Sequence, residues 1–158
     1  IYFPVIIVLS GPEPQRTFLE AELKKKFINE NYKTLLIQGK TEKYSIEEEN
    51  NITIVSYLNT NDLFTALQTA EVIICRSGYS TVMDLAVLGK RAILIPAEGQ
   101  TEQEYLAKTL SEKDFAVECK QDSLDIENAL EKLKTVIGFT SYKTSTEKLE
   151  SELEKYLI

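Results

Sequence analysis

Short runs of β-branched apolar residues alternate along the chain with segments whose apolar residues recur at helical spacing, and this alternation restricts the fold more than any other feature. Val5 to Leu9, Thr34 to Ile37, Ile52 to Val55, Val72 to Cys75, Ala92 to Ile95 and Phe115 to Val117 read as strands. Between them Leu19, Leu23 and Phe27 share a helical face, as do Leu63, Leu67 and Ala70, then Val82, Leu85 and Ala86, then Leu106 and Leu110. Most strand runs are apolar throughout, as strands buried on both faces are, and helical crossovers between such strands imply a parallel sheet covered on both sides. The expected class is therefore α/β, a doubly wound, Rossmann-like parallel sheet. Ile126, Leu130 and Leu133 predict a further helix with Ser123 as its candidate cap, and Leu149, Leu153 and Tyr156 a last, highly charged one. The polar stretch Lys40 to Asn51, with Glu47-Glu48-Glu49, reads as a solvated loop. Without a repeat or linker, 158 residues predict a single domain over 1–158.

Composition excludes several functions. Eighteen Lys plus Arg against 25 Asp plus Glu give a net charge of -7, which argues against nucleic acid as partner. No apolar run approaches the roughly 20 residues of a membrane span. The opening Ile1-Tyr2-Phe3-Pro4-Val5 lacks the basic flank and cleavage site of a signal peptide and reads as the start of an excised piece. Cys75 and Cys119 lie far apart, and with no His in the chain neither has partners for a zinc site or a Cys-His nucleophile. Both are expected to be reduced, cytosolic and structural. The lack of His also removes the commonest general base near neutral pH, so no catalytic residue is assigned within the chain.

Ligands of such folds sit at the carboxyl ends of the strands, which directs attention to the strand-to-helix turns. In Cys75-Arg76-Ser77-Gly78-Tyr79-Ser80-Thr81, small and hydroxylated residues fill the turn. Gly78 lets backbone approach a ligand, and the amides of Tyr79, Ser80 and Thr81 with the positive helix end outline a diphosphate site. Asp84, further along that helix, can accept two hydrogen bonds from a ribose diol. Equally, Ser77 can simply cap the helix and Asp84 be a solvated acid. The turn from Ile95 to Tyr105 places Gln103 and Glu104 where they can hydrogen-bond a hexose, although a capping box from Thr101 to Glu104 explains it as well. In Ser10-Gly11-Pro12-Glu13-Pro14, Gly11 permits close ligand approach and Ser10 or Gly11 is the candidate cap, while the prolines remove amides a phosphate would use. Val55 to Leu58 forms an apolar shelf for a base, with Thr60 or Asn61 as ordinary caps.

Taken in order, these turns resemble the carboxy-terminal domain of glycosyltransferase family 28. The most specific stretch runs from Asp62 through Ala70-Glu71, Cys75-Arg76-Ser77-Gly78, Thr81-Val82, Asp84 and Gly89 to Pro96, then Gln103 and Tyr105. The resemblance implies one half of a GT-B enzyme, with a UDP-sugar as co-substrate and no cofactor. It further implies hexosyl transfer with inversion, independence of metal, and an amino-terminal acceptor domain absent from this chain. By matched position, Ser77 to Thr81 would hold the diphosphate, Asp84 the ribose and Gln103 with Glu104 the sugar, while the backbone of Leu58 would read uracil. Asp84 stands where the family usually has Glu, Glu104 where it has Gln, and Ser10-Gly11-Pro12-Glu13 replaces a glycine-rich loop. A cytoplasmic protein, peripheral to the inner membrane and acting on a lipid-linked acceptor, fits this resemblance. A UDP-sugar 2-epimerase half-domain and a donor-binding subunit that docks to a membrane partner are the alternatives.

Overall fold

The computed structural model describes residues 2–139 together with Ser151 and Glu154; the helix expected from Leu149, Leu153 and Tyr156 lies outside the described residues. The chain divides into two compact units, Ile1–Arg76 and Ser77–Ile158. The first contains β1 (Val5–Val8), α1 (Gln15–Phe27), β2 (Thr34–Ile37), β3 (Ile46–Glu49), β4 (Ile52–Val55), α2 (Thr60–Thr69) and β5 (Val72–Cys75). Its strands lie in the order β3-β4-β2-β1-β5. β1 runs parallel to both β2 and β5, with Val5 opposite Thr34 on one side and Val72 on the other, and β2 runs parallel to β4. Ile7, Leu36 and Ile74 in the strands and Leu23 and Phe27 on α1 are buried, which is why these runs lack alternation. Each such side chain contributes about 1.5–3 kcal/mol through burial.

The second unit contains α3 (Tyr79–Leu88), β6 (Ile93–Leu94), α4 (Thr101–Glu112), β7 (Val117–Glu118) and α5 (Ile126–Leu133). β6 and β7 are parallel, Ile93 facing Val117 and Leu94 facing Glu118. Leu85, Ala86, Ile93, Leu94, Leu106 and Ala107 are buried here. The expected class, an α/β Rossmann-like fold of mostly parallel strands, is the one observed.

Three local expectations are corrected. Residues 46–49, read as loop, form the strand β3, antiparallel to β4. All four residues of β3 are exposed, so no buried face marks the strand in the sequence. The backbone is held instead by its ladder and by Ser45 and Ser56, whose amides bond to the Ser56 hydroxyl and the Ser45 carbonyl respectively. The last two strands are shorter than their apolar runs, Ala92 to Ile95 contributing only Ile93–Leu94 and Phe115 to Val117 giving way to Val117–Glu118. α5 is capped by Asp125, which accepts from the Asn128 amide, while Ser123 closes a short 3-10 turn upstream.

Candidate functional site

Strand β5 delivers the chain into the turn that opens α3. The turn's first two residues are withdrawn from solvent: Arg76 is 2% exposed and Ser77 0%. The Arg76 Nε donates to the Ser10 carbonyl at 3.2 Å. Burial lowers the Arg76 pKa, yet a guanidinium stays cationic at neutral pH. The Ser77 hydroxyl donates to the Gln103 carbonyl at 2.6 Å, so it does not cap the helix. Gly78 is the N-cap, in extended conformation, and no side chain caps α3. The Gly78 carbonyl receives the Val82 amide at 3.0 Å, leaving the first-turn amides of Tyr79, Ser80 and Thr81 without an intrahelical acceptor. Tyr79 and Ser80 are exposed, and Gly78 and Thr81 partly so. A helix of ten residues concentrates roughly half a positive charge at this end. Asp84, in the second turn of α3, is half-buried, and burial raises its carboxyl pKa.

The turn between β6 and α4 is stapled by two of the residues singled out for the sugar. Gln103 accepts the Ala97 amide through its Oε1 at 2.9 Å, and Glu104 accepts the Gly99 amide at 2.9 Å. The N-cap is Gln100 without a side-chain cap bond, so the capping box expected from Thr101 does not form. Glu104 also lines a cavity of about 540 Å³ with Pro96, Glu98, Lys108, Glu118 and Lys120. The Ser77–Gln103 bond thus ties two of the sequence-predicted turns together within the second unit.

In the first unit the turn after β1 is closed differently. Gly11 is exposed with φ 101°, and α1 begins after Pro14, not after Ser10 or Gly11. The Glu13 carboxylate receives the Thr17 amide at 3.2 Å, the Thr17 hydroxyl at 2.6 Å and the Arg16 Nε at 2.7 Å. Those bonds, with that of Thr17 foremost, hold the Glu13 carboxyl below the ordinary glutamate range. Arg16, which sequence reasoning missed, is 4% exposed. An Arg at the second position of a helix shows nothing of this in sequence, although acids three residues before and four after it are the one available signal. Leu58 is half-buried on the turn after β4 and lines a groove of about 620 Å³ with Tyr2, Tyr44, Ile46 and Asp62. α2 is capped by Asn59, which accepts the Asp62 amide at 2.8 Å, in place of Thr60 or Asn61.

Cys75 and Cys119 are buried free thiols. Burial pushes Cys75 up to about 12 and raises Cys119 as well, so neither is a thiolate at neutral pH. Among the described residues no group of three or more Cys, Asp or Glu is placed to hold a metal ion, and no helix is long and apolar enough to cross a membrane.

Residues 5–156 match the model of the Glycosyltransferase family 28 C-terminal domain. The chain belongs to this family. A relative from Alkaliphilus oremlandii, a UDP-N-acetylglucosamine--N-acetylmuramyl-(pentapeptide) pyrophosphoryl-undecaprenol N-acetylglucosamine transferase, is 29% identical over 144 residues, 85% of this chain and 39% of its own length. The protein of that name from Sulfurihydrogenibium sp. is 27% identical over 169 residues, covering 94% of this chain and 47% of the relative. The family 28 domain therefore spans less than half of these relatives. Among solved structures, the calicheamicin glycosyltransferase CalG4 superposes with a TM-score of 0.66 at 17% identity, over 98% of this chain and 42% of that one. MurG from Acinetobacter baumannii gives 0.55 at 20% identity over 92% and 46%, and the solution structure of ALG13 gives 0.65 at 12% over 94% and 95%. The family 28 domain thus has the fold of one half of a GT-B glycosyltransferase.

Proposed function

We propose that this family 28 domain binds the UDP-sugar donor of a hexosyltransferase and holds its diphosphate at the start of α3. The observation that carries the proposal is the first turn of α3, which has no side-chain cap and opens on a glycine. Charge accumulates on the departing diphosphate as the glycosidic bond to it breaks. Preorganised amides at Tyr79, Ser80 and Thr81, backed by the helix dipole, stabilise such charge without a metal ion. Asp84 takes the ribose hydroxyls, the Leu58 backbone takes uracil, and Gln103 with Glu104 orients the sugar. Both acid and amide already fix the turn they stand on, which presets their positions before a ligand arrives.

The acceptor hydroxyl attacks the anomeric carbon from the opposite side, giving inversion, and its proton passes to a base of the acceptor domain. The relatives' names specify UDP-N-acetylglucosamine and an undecaprenol-linked acceptor, and a lipid-linked acceptor presented to a cytoplasmic enzyme at the membrane surface extends the reading to this protein. A second reading, a donor-binding subunit completed by a separate partner, draws on ALG13, which is matched over 95% of its own length whereas CalG4 and MurG are matched over 42% and 46%.

Titration calorimetry tests the proposal: UDP binds with a chelator present, and ADP and GDP bind at least about tenfold more weakly, a difference of roughly 1.4 kcal/mol. Binding of a purine nucleotide without binding of UDP would overturn it.

A further inference from the structure

In the first unit α1 connects β1 to β2 and α2 connects β4 to β5, but the chain between β2 and β4 is spent on the edge strand β3. A parallel sheet is ordinarily covered by helices on both faces, so a missing crossover helix leaves part of the sheet without that cover. Glu49 pairs with Lys24 of α1, which puts α1 on the face to which Glu47 and Glu49 belong. Ile46 and Glu48 belong to the other face, and there they line the groove of about 620 Å³ beside α2. Val55 and Thr53, their partners across the ladder, form the floor, and Ala66 and Thr69 of α2 the opposite wall.

The rim of this groove is apolar and open. Among the described residues of the first unit four large apolar side chains are exposed, and three of them, Tyr2, Tyr44 and Ile46, line the groove at 50%, 52% and 58% exposure. Two are held in place: Tyr44 stands edge-on to Tyr57 with ring centroids 5.5 Å apart, and the Tyr2 hydroxyl donates to Glu71. Exposed apolar side chains scattered singly are ordinary, whereas their gathering on one concave surface marks contact with another molecule.

Charge selects the occupant. Glu48 stands on the β3 wall and Asp62 on the α2 wall, and Glu47 and Glu49 continue the acidic run along β3. Such a rim repels the anionic headgroups of a lipid surface. A second copy brings another net charge of -7 and, in a two-fold contact centred on the groove, sets the β3 glutamates against themselves. What fits is the cover the sheet lacks, carried on a polypeptide of opposite charge. We propose that this groove docks an amphipathic helix of a partner protein, with its apolar stripe against Tyr44, Ile46 and the floor and with Lys or Arg on both borders of the stripe beside Glu48 and Asp62.

The test titrates a synthetic peptide of about 18 residues, five helical turns, into the isotope-labelled protein and follows its amides by NMR. The peptide carries Leu at helical spacing three and four, with Lys on both borders of that stripe. Amide shifts concentrate at Ile46, Glu48, Ala66 and Thr69. A peptide with Glu in place of Lys, and one of the same composition scrambled to lose the stripe, each bind at least about tenfold more weakly. Ile46→Asp and Glu48→Lys each weaken the Leu-Lys peptide about tenfold with the melting temperature held, and Glu48→Lys decides the matter where Ile46→Asp does not fold. Shifts spread over other acidic surfaces, a scrambled peptide that binds as tightly, or unchanged binding by Glu48→Lys overturns the proposal. So do two further results: the same residues shifting on phosphatidylglycerol vesicles, which would make the groove a lipid contact, and a dimer in sedimentation that Ile46→Asp dissociates, which would make it a self-interface.

Discussion

Two of the helices that start beyond the carboxyl end of a parallel strand, α1 and α3, have first turns that are answered in opposite ways. At α1 the chain supplies its own anion: the Glu13 carboxylate takes the Thr17 amide, and the Pro12 carbonyl takes that of Arg16. At α3 the residues that would cap are directed elsewhere, Ser77 to the Gln103 carbonyl, and the N-cap position falls to a glycine without a side chain. Both helix ends carry the same dipole. The difference teaches that a helix start above a sheet is an anion site only where the sequence declines to fill it. Glu13 occupies at α1 the role that a donor phosphate is proposed to occupy at α3.

The comparison is broken most severely by giving α3 what α1 has. Ser80→Asp places a carboxylate in the first turn of α3, at an exposed position. It stabilises the helix by about 0.3–1 kcal/mol through the dipole. The same carboxylate repels a diphosphate: two unit charges 4 Å apart near a protein surface interact by about 4 kcal/mol before screening by salt. UDP affinity falls about 100-fold or more, roughly 2.7 kcal/mol, while the thermal midpoint holds or rises. Calorimetry and a melting curve on the same sample decide it. A variant that melts as expected and still binds UDP normally would place the diphosphate elsewhere.

Gly78→Ala is a smaller blow at the same turn. Gly78 has φ -71°, which any residue adopts, and a Cβ there meets no atom within 4 Å. The fold thus tolerates the methyl, losing about 0.5–1 kcal/mol because alanine is a poor N-cap, or some 1–3 °C in Tm. The open space is what the ligand needs for close approach of its phosphates. UDP affinity drops about tenfold, well beyond the cost to stability, and a loss no greater than the stability change would show that the space is not used.

How legible was this in the sequence? The strands β2, β4 and β5 coincide with their apolar runs, because at least three of the four residues of each are buried and no polar face alternates with the apolar one. β3 escaped detection because Ile46–Glu49 has no buried face, and its ladder to β4 leaves no mark in the sequence. The turns that matter were visible as turns, since Gly78 and the hydroxyl residues around it stand between a strand pattern and a helix pattern. Their hydrogen bonding was not visible. Ser77, Thr101, Ser123 and Thr60 are all residues that favour caps, yet the caps observed are Gly78, Gln100, Asp125 and Asn59. Position along the helix axis, which decides capping, shifts by one residue without changing the periodicity. Arg16 was hidden more deeply, because its partner Gln38 lies 22 residues away and their bond exists only when α1 is laid against the end of β2.

The gentlest probe of the comparison is acid, because the carboxylates associated with the two turns respond in opposite directions. The Glu13 pKa is lowered by its bonds to Thr17 and Arg16, so its contribution to stability is present above the unfolded value and lost as pH falls through the folded one. The Asp84 pKa is raised by burial, so the folded state favours its protonated form; that contribution is present below the unfolded value and lost as pH rises through the folded one. Ribose hydroxyls donating to Asp84 require the ionised carboxylate. UDP binding therefore draws the Asp84 pKa back down, and UDP affinity falls as pH drops through the Asp84 pKa of the free protein. UDP itself titrates in mild acid, which Asp84→Asn controls for: the variant binds UDP several-fold more weakly near neutral pH and has a shallower pH profile. Carboxyl shifts followed by NMR complete the contrast, with the Asp84 midpoint moving down on adding UDP and the Glu13 midpoint staying where its own helix has fixed it. Parallel pH profiles for the two proteins would remove Asp84 from the ribose, and a Glu13 midpoint that moves with UDP would mean that the ligand reaches α1 as well.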